Sequence, residues 1–140
     1  MATRSTLVFD VWPYPDRAAP EMLTLYLAKH DDGDPAAMQD HILPAWTKAR
    51  AALAADSNDY AHHPQISICQ AIAGVLLADT GAQFRLSDDV ARDSAYVYRF
   101  GQATTSWMDA ELSIIRGNDE TTIFEGGFQA FAKWCRLQGW

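Results

Sequence analysis

Apolar residues recur at three- and four-residue spacing over much of the chain, and that period predicts helices. Asp34 stands as a cap before Pro35, and Met38, Ile42, Trp46, Ala49 and Leu53 then mark one face of a first helix. Pro44 lies within it and should kink or split it near Asp40 to Leu43, because proline removes a helical hydrogen bond. Ile66 through Asp79 places Cys69, Ile72, Ala73, Leu76 and Leu77 on one side and is bounded by Gly81, which predicts a mostly buried helix. Ser87 reads as the cap of a longer helix with Asp88 and Asp89 in its first turn, where negative charge meets the positive end of the dipole. Val90, Val97, Gly101, Thr104, Met108, Leu112 and Ile115 carry its stripe to Gly117, with Gly101 and Thr104-Thr105 weakening the middle enough to break it in two. The final segment sets Phe124, Phe128, Phe131 and Cys135 on one face, with Lys133 and Arg136 near the C-terminal end; Gly126-Gly127 delays its start.

Two stretches carry a strand signal. Residues 6 to 12 are β-branched and aromatic with no helix starter, so they read as a short strand or extended arm that stops at Pro13. Trp12-Pro13-Tyr14-Pro15 is a semi-rigid connector, each proline fixing its own φ and restricting the residue before it. Residues 20 to 30 fit either state: Pro20-Glu21 resembles a first helical turn, while Leu23, Leu25 and Leu27 alternate. Helix is favoured there, and a strand would instead pair with residues 6 to 12. The expected fold is therefore mainly α, a compact domain of four to five helices with a short N-terminal strand or arm. It is one domain over 1–140, with 1–15 the arm or strand and 16–140 the helical core. The alternative is α+β, with an N-terminal hairpin and a C-terminal one formed by 111–116 and 121–125 around Gly117-Asn118-Asp119.

Composition fits a folded chain: of 140 residues, 49% are hydrophobic and 11% aromatic, far from the low-hydrophobicity corner where chains stay disordered. Lys plus Arg number 11 against 18 Asp plus Glu, a formal charge of -7 that disfavours direct contact with nucleic acid or an anionic membrane and favours a partner with a basic surface. The acids come in short groups, such as Asp31, Asp32 and Asp34, and not in the continuous face a DNA mimic needs. The apolar run Leu7-Val8-Phe9, cut by Asp10, is too short for a secretory signal or a membrane span, so a cytoplasmic location is expected. Cys69 and Cys135 lie in helix-like patterns and read as small buried hydrophobes, not as a disulfide.

Candidate chemistry is sparse. His62, His63 and Cys69, with His41 and Asp59 as further donors, form the most metal-like group, but their spacing is no known ligand pattern, and no metal or cofactor is expected. No G-x-S-x-G elbow is present, and the apolar neighbours of Cys69 argue for an inert thiol. Asp93, Asp109 and Glu111 do not form a paired-carboxylate site, since Asp109 and Glu111 are two apart and would diverge on a helix. Gly126-Gly127 lacks the lysine and hydroxyl of a phosphate loop, and Asp31-Asp32-Gly33-Asp34 lacks the closing acid of a calcium loop.

What remains is aromatic anchors and carboxylates. Trp12 and Tyr14 in the proline-stiffened segment, Tyr60 in a polar loop, and Asp31, Asp32 and Asp34 are the expected partner-binding residues. The expectation is a non-enzymatic acidic protein-binding domain, for example an inhibitor such as an immunity protein or a phage-encoded anti-defence protein. The alternatives are a small helical enzyme or ligand-binding domain using histidines, and a structural or self-associating subunit of a larger assembly such as a phage particle.

Overall fold

In β1 (Ser5–Val11), Ser5, Leu7, Phe9 and Val11 turn to one side and Thr6, Val8 and Asp10 to the other, the period of two that defines a strand. The computed structural model describes residues 3–11, 23–56, 68–79, 81–102 and 110–139. β1 is no peripheral arm. It pairs antiparallel with β2 (Leu23–Lys29) and parallel with β4 (Tyr96–Gln102). The sheet is completed by β3 (Arg85–Ser87) beside β2, and by β5 (Ala110–Arg116) and β6 (Thr122–Gly126) beyond β4, in the order β3-β2-β1-β4-β5-β6. Every pairing except β1–β4 is antiparallel, and an irregularity between Ile114 and Ile115 shifts the β5–β6 register.

One face of this sheet is apolar. Leu7, Phe9, Leu27, Tyr98, Phe100, Leu112 and Ile114 are all buried on it, and the Phe9 and Phe100 rings stack with centroids 4.4 Å apart. The helices α1 (Pro35–Asp56), α2 (Ile68–Ala78) and α3 (Phe128–Leu137) form the facing layer. α2 lies against β1 and β4, α3 against β5 and β6, and α1 packs on both helices. Most of the expected helix faces are used: Met38, Ile42, Ala49 and Leu53 of α1, Cys69, Ile72, Ala73 and Leu76 of α2, and Phe128, Phe131 and Cys135 of α3 are buried, whereas Phe124, expected on the last helix, lies in β6. Trp46 of α1 stacks on Phe128, which stacks in turn on Phe100, joining both layers. Each large side chain buried this way contributes about 1.5–3 kcal/mol.

The mainly helical fold expected from the sequence is thus overturned: the chain is α+β, its described residues forming a six-stranded mixed sheet and three helices. Residues 23–29, favoured as helix, are β2, and the long helix expected from Ser87 to Gly117 gives way to the end of β3, to β4 and to β5, with Thr104, Thr105 and Met108 of that expectation outside the described residues. The strand pairs β1–β2 and β5–β6 correspond to the two hairpins of the alternative. The local reason is plain at Ser87, whose hydroxyl donates to the Asp89 carbonyl at 2.9 Å and serves a turn, not a helix start. Pro44 does not split α1, which runs through it with the proline exposed.

Two close approaches fix the turns. Gly33 N–H donates to Thr3 O at 2.8 Å, and a Cβ at Gly33 would lie 2.6 Å from Ser5 Oγ and 2.8 Å from that same carbonyl oxygen. A Cβ at Gly117, in the β5–β6 turn, would overlap the carbonyl oxygen of Ser94.

Candidate functional site

The inward phase of β2 reads Leu23, Leu25, Leu27, Lys29, and that of β1 reads Ser5, Leu7, Phe9, Val11. A lysine and a serine therefore occupy core-facing positions, and the register places them directly opposite each other. Lys29 is 7% exposed; its Nζ donates to Ala82 O at 2.7 Å and sits 5.4 Å from the centroid of the Phe84 ring. Ser5 is 1% exposed, and its hydroxyl has no hydrogen-bond partner. Both border a cleft of about 470 Å³ at this end of the sheet, with Arg4, His30, Gln83 and Arg85 around it and the carboxylates Asp31 and Asp93 on its rim. Arg4 is ion-paired with Asp93. The segment carrying Asp93 is held to β1, Thr6 and Ser94 sharing a hydroxyl–hydroxyl bond of 2.7 Å and Ala95 N–H donating to Arg4 O at 2.8 Å.

A second surface lies on the side of the sheet away from the helices. Its rows follow the register: Ala28, Thr6, Val97 and Ile115 in one, Tyr26, Val8, Arg99, Ser113 and Glu125 in the next, with Asp10 opposite Thr24 and Glu111 opposite Gly101 beyond them. Among the described residues no helix covers this face. Thr24, Arg99, Glu111 and Glu125 are exposed on it, and Val97, Ile115, Ser113 and Tyr26 are half-buried. A hollow of about 430 Å³ near its lower edge is lined by Val90, Val97 and Ile115, with Arg92, Arg99, Arg116 and Glu120 around them. Arg116 also pairs with Asp119 at 3.2 Å, and Asp119 is held below the usual carboxylate range chiefly by the backbone N–H of Thr121.

Of the residues singled out in the sequence, Asp34 does local work: it stands at the N-terminus of α1, where its Oδ2 accepts from Ala37 N–H at 3.4 Å. Asp31 and Asp32 are exposed in the same turn, Asp32 with φ of 55°. Cys69 is buried in α2, and burial, with a smaller contribution from the Asp10 carboxylate, pushes its thiol up to about 12. His41 is half-buried and meets the Phe84 ring edge-on. Asp93 lies on the cleft rim, whereas Glu111 is at the opposite end of the sheet. Trp12, Tyr14, Asp59, Tyr60, His62, His63 and Asp109 lie outside the described residues. Among the described residues no three His, Cys, Asp or Glu side chains converge as a metal site would require, and no helix is long and apolar enough to cross a membrane.

Sequence reasoning passed over Ser5, Lys29 and Arg85. The signal was present in the alternation, since Lys29 falls in phase with three leucines, but it becomes visible only once residues 23–29 are read as a strand. The described residues define an α+β fold with one helix-covered sheet face and, among them, no helix on the other. Comparison with protein-family models, with curated proteins and with solved structures yields no match.

Proposed function

We propose that the protein is a non-enzymatic binding domain that engages another protein, as an inhibitor or as part of an assembly, through the helix-free face of its sheet. The observation that carries this reading is the composition of that face: half-buried aliphatic and aromatic Tyr26, Val97 and Ile115 beside exposed Arg99, Glu111 and Glu125. Aliphatic and aromatic surface interspersed with an arginine and carboxylates is a composition that protein interfaces use. Asp10, Glu111 and Glu125 set carboxylates on it, and the net charge of -7 would steer a basic partner surface toward the domain.

The test is native mass spectrometry of the tagged full chain isolated gently from its own host. The expected result is a stoichiometric protein complex that weakens with Glu111→Arg or Glu125→Arg and persists with Lys48→Glu on the exposed side of α1. A chain that stays alone and turns over a small substrate refutes the proposal, as does a complex lost only through the helical layer.

A further inference from the structure

We propose that the hollow of about 430 Å³ on the side of the sheet away from the helices binds a small amphipathic anion, a carboxylate or phosphate monoester joined to an apolar body. Arg92 and Arg99 would take its oxyanion, and Val90, Val97 and Ile115 would lie under its body. The inference does not rest on the protein-partner reading, and the free chain tests it. All the parts of this hollow come to one side of the sheet. In β4, Tyr98 and Phe100 are buried toward the helices, so Val97 and Arg99 point the other way, and the register sets Ile115 beside Val97. Thr6 also points away from the helices and is the partner of Val97 on β1. It anchors the loop that supplies Val90 and Arg92: Ala91 N–H donates to Thr6 Oγ1 at 3.3 Å, beside the Thr6–Ser94 hydroxyl bond.

The same loop is fastened at its other end. Ala95 N–H donates to Arg4 O and Gly117 N–H to Ala95 O, each at 2.8 Å, which ties it to β1 and to the β5–β6 turn. The wall is thus in place before a ligand arrives, and a preformed site loses little binding energy to ordering. Its volume falls within the range of about 300–1,000 Å³ usual for small-molecule sites. Charge then selects the occupant. The chain carries a formal charge of -7, yet Arg92, Arg99 and Arg116 stand around this hollow, and Glu120 is the one acid among the described residues that line it. Arg116 is engaged by Asp119, whereas Arg92 and Arg99 belong to neither ion pair found among the described residues. The cross-strand neighbours of Arg99 are Val8 and Ser113, which carry no charge. Two guanidiniums able to give charge-assisted hydrogen bonds suit a carboxylate or phosphate, and the aliphatic floor beside them suits an apolar group attached to it.

The experiment is a titration of the 15N-labelled full chain with sodium benzoate and sodium phenyl phosphate at constant ionic strength, with sodium acetate, sodium phosphate and benzyl alcohol as controls. Benzoate, phenyl phosphate or both should give saturable shifts at the amides of Val90, Arg92, Val97, Arg99 and Ile115; the tighter of the two identifies a carboxylate or a phosphoryl head. Acetate and phosphate lack the apolar body and benzyl alcohol lacks the charge, so each should bind at least ~10-fold more weakly. Arg92→Gln and Arg99→Gln break neither ion pair, should keep the parental melting temperature, and should each lower the affinity about 10-fold. Lys48→Gln, on the exposed side of α1, changes the net charge equally and should leave the affinity unchanged. No saturable shift with either aryl anion, control compounds that bind as tightly, or parental affinity in both arginine variants would overturn the proposal. An equal loss in Lys48→Gln would do the same, since it would trace the binding to net charge and not to this hollow.

Discussion

Replacing Tyr98 by phenylalanine isolates one buried hydrogen bond. Tyr98 is fully buried on β4, and its hydroxyl donates to the carbonyl of Gly33 at 2.7 Å. Gly33 is itself buried and lies in the turn that leads from β2 into α1. Phenylalanine keeps the ring and its packing but leaves the Gly33 carbonyl without this donor in a site closed to water. The loss of such a bond, with its acceptor stranded, is about 1–2 kcal/mol. With a urea dependence of roughly 2 kcal/mol per molar, inside the ordinary range for a small domain, the unfolding midpoint should fall by roughly 0.5–1 M at unchanged slope. Amide exchange should also accelerate at Gly33, whose N–H is bonded to Thr3 O, and at the first turn of α1. Tryptophan fluorescence in urea supplies the midpoint, and exchange spectra supply the local effect. An unfolding free energy within about 0.5 kcal/mol of the parent, with no change in exchange at Gly33, would show that this hydroxyl does not anchor the turn.

Two further expectations follow from close contact and from burial. Gly117→Ala should destabilise by about 1–3 kcal/mol or more in thermal melts, because the added methyl overlaps the Ser94 carbonyl and must push the β5–β6 turn off the segment that packs on β1; a parental melting temperature would refute that contact. Stability should also fall in alkali. Burial raises the thiols of Cys69 to about 12 and Cys135 to about 11 from 9.0, and raises the Tyr98 hydroxyl as well. The native chain therefore keeps protons that the unfolded chain releases, so this stability is complete below pH 9 and is lost as pH rises toward the native values. Cys69 alone contributes a slope of about 1.4 kcal/mol per pH unit in that window, and urea midpoints for the parent and Cys69→Ala between neutral and alkaline pH measure it. Equal alkaline losses in both would refute the assignment to Cys69.

The helices were legible because their signals are local. Asp34-Pro35 opens α1, the three- and four-residue spacing of Met38, Ile42, Ala49 and Leu53 shows its buried side, and Gly126-Gly127 delays α3 to Phe128. The central strands were not, because their alternation is blurred on both faces. In β4 the inward Tyr96, Tyr98 and Phe100 alternate with Val97, Arg99 and Gly101, so an apolar valine falls on the outward side and the stripe can be followed at helical spacing instead. Only the distant partners β1 and β5 decide between the two, and no local window contains them. The same blindness concealed the cleft. Within a segment favoured as helix Lys29 has no reason to attract notice, and it becomes an inward-facing charge only after β2 is paired with β1.

The parallel pairing of β1 with β4 has a consequence for the order in which the chain can assemble. Ser5 is the partner of Tyr96, so the edge of β1 that will face β4 stays open while nearly two thirds of the sequence is made. From the end of β2 at Lys29 to Tyr96, at roughly 5–20 residues per second, the interval is on the order of 3–13 s. A nascent β1–β2 hairpin would spend it with unpaired backbone donors and with Leu7, Phe9 and Val11 beside them, a ready template for a strand of another chain. Chaperone protection would matter most between synthesis of β2 and arrival of β4. A fragment ending before Tyr96 is accordingly expected to aggregate where the full chain folds.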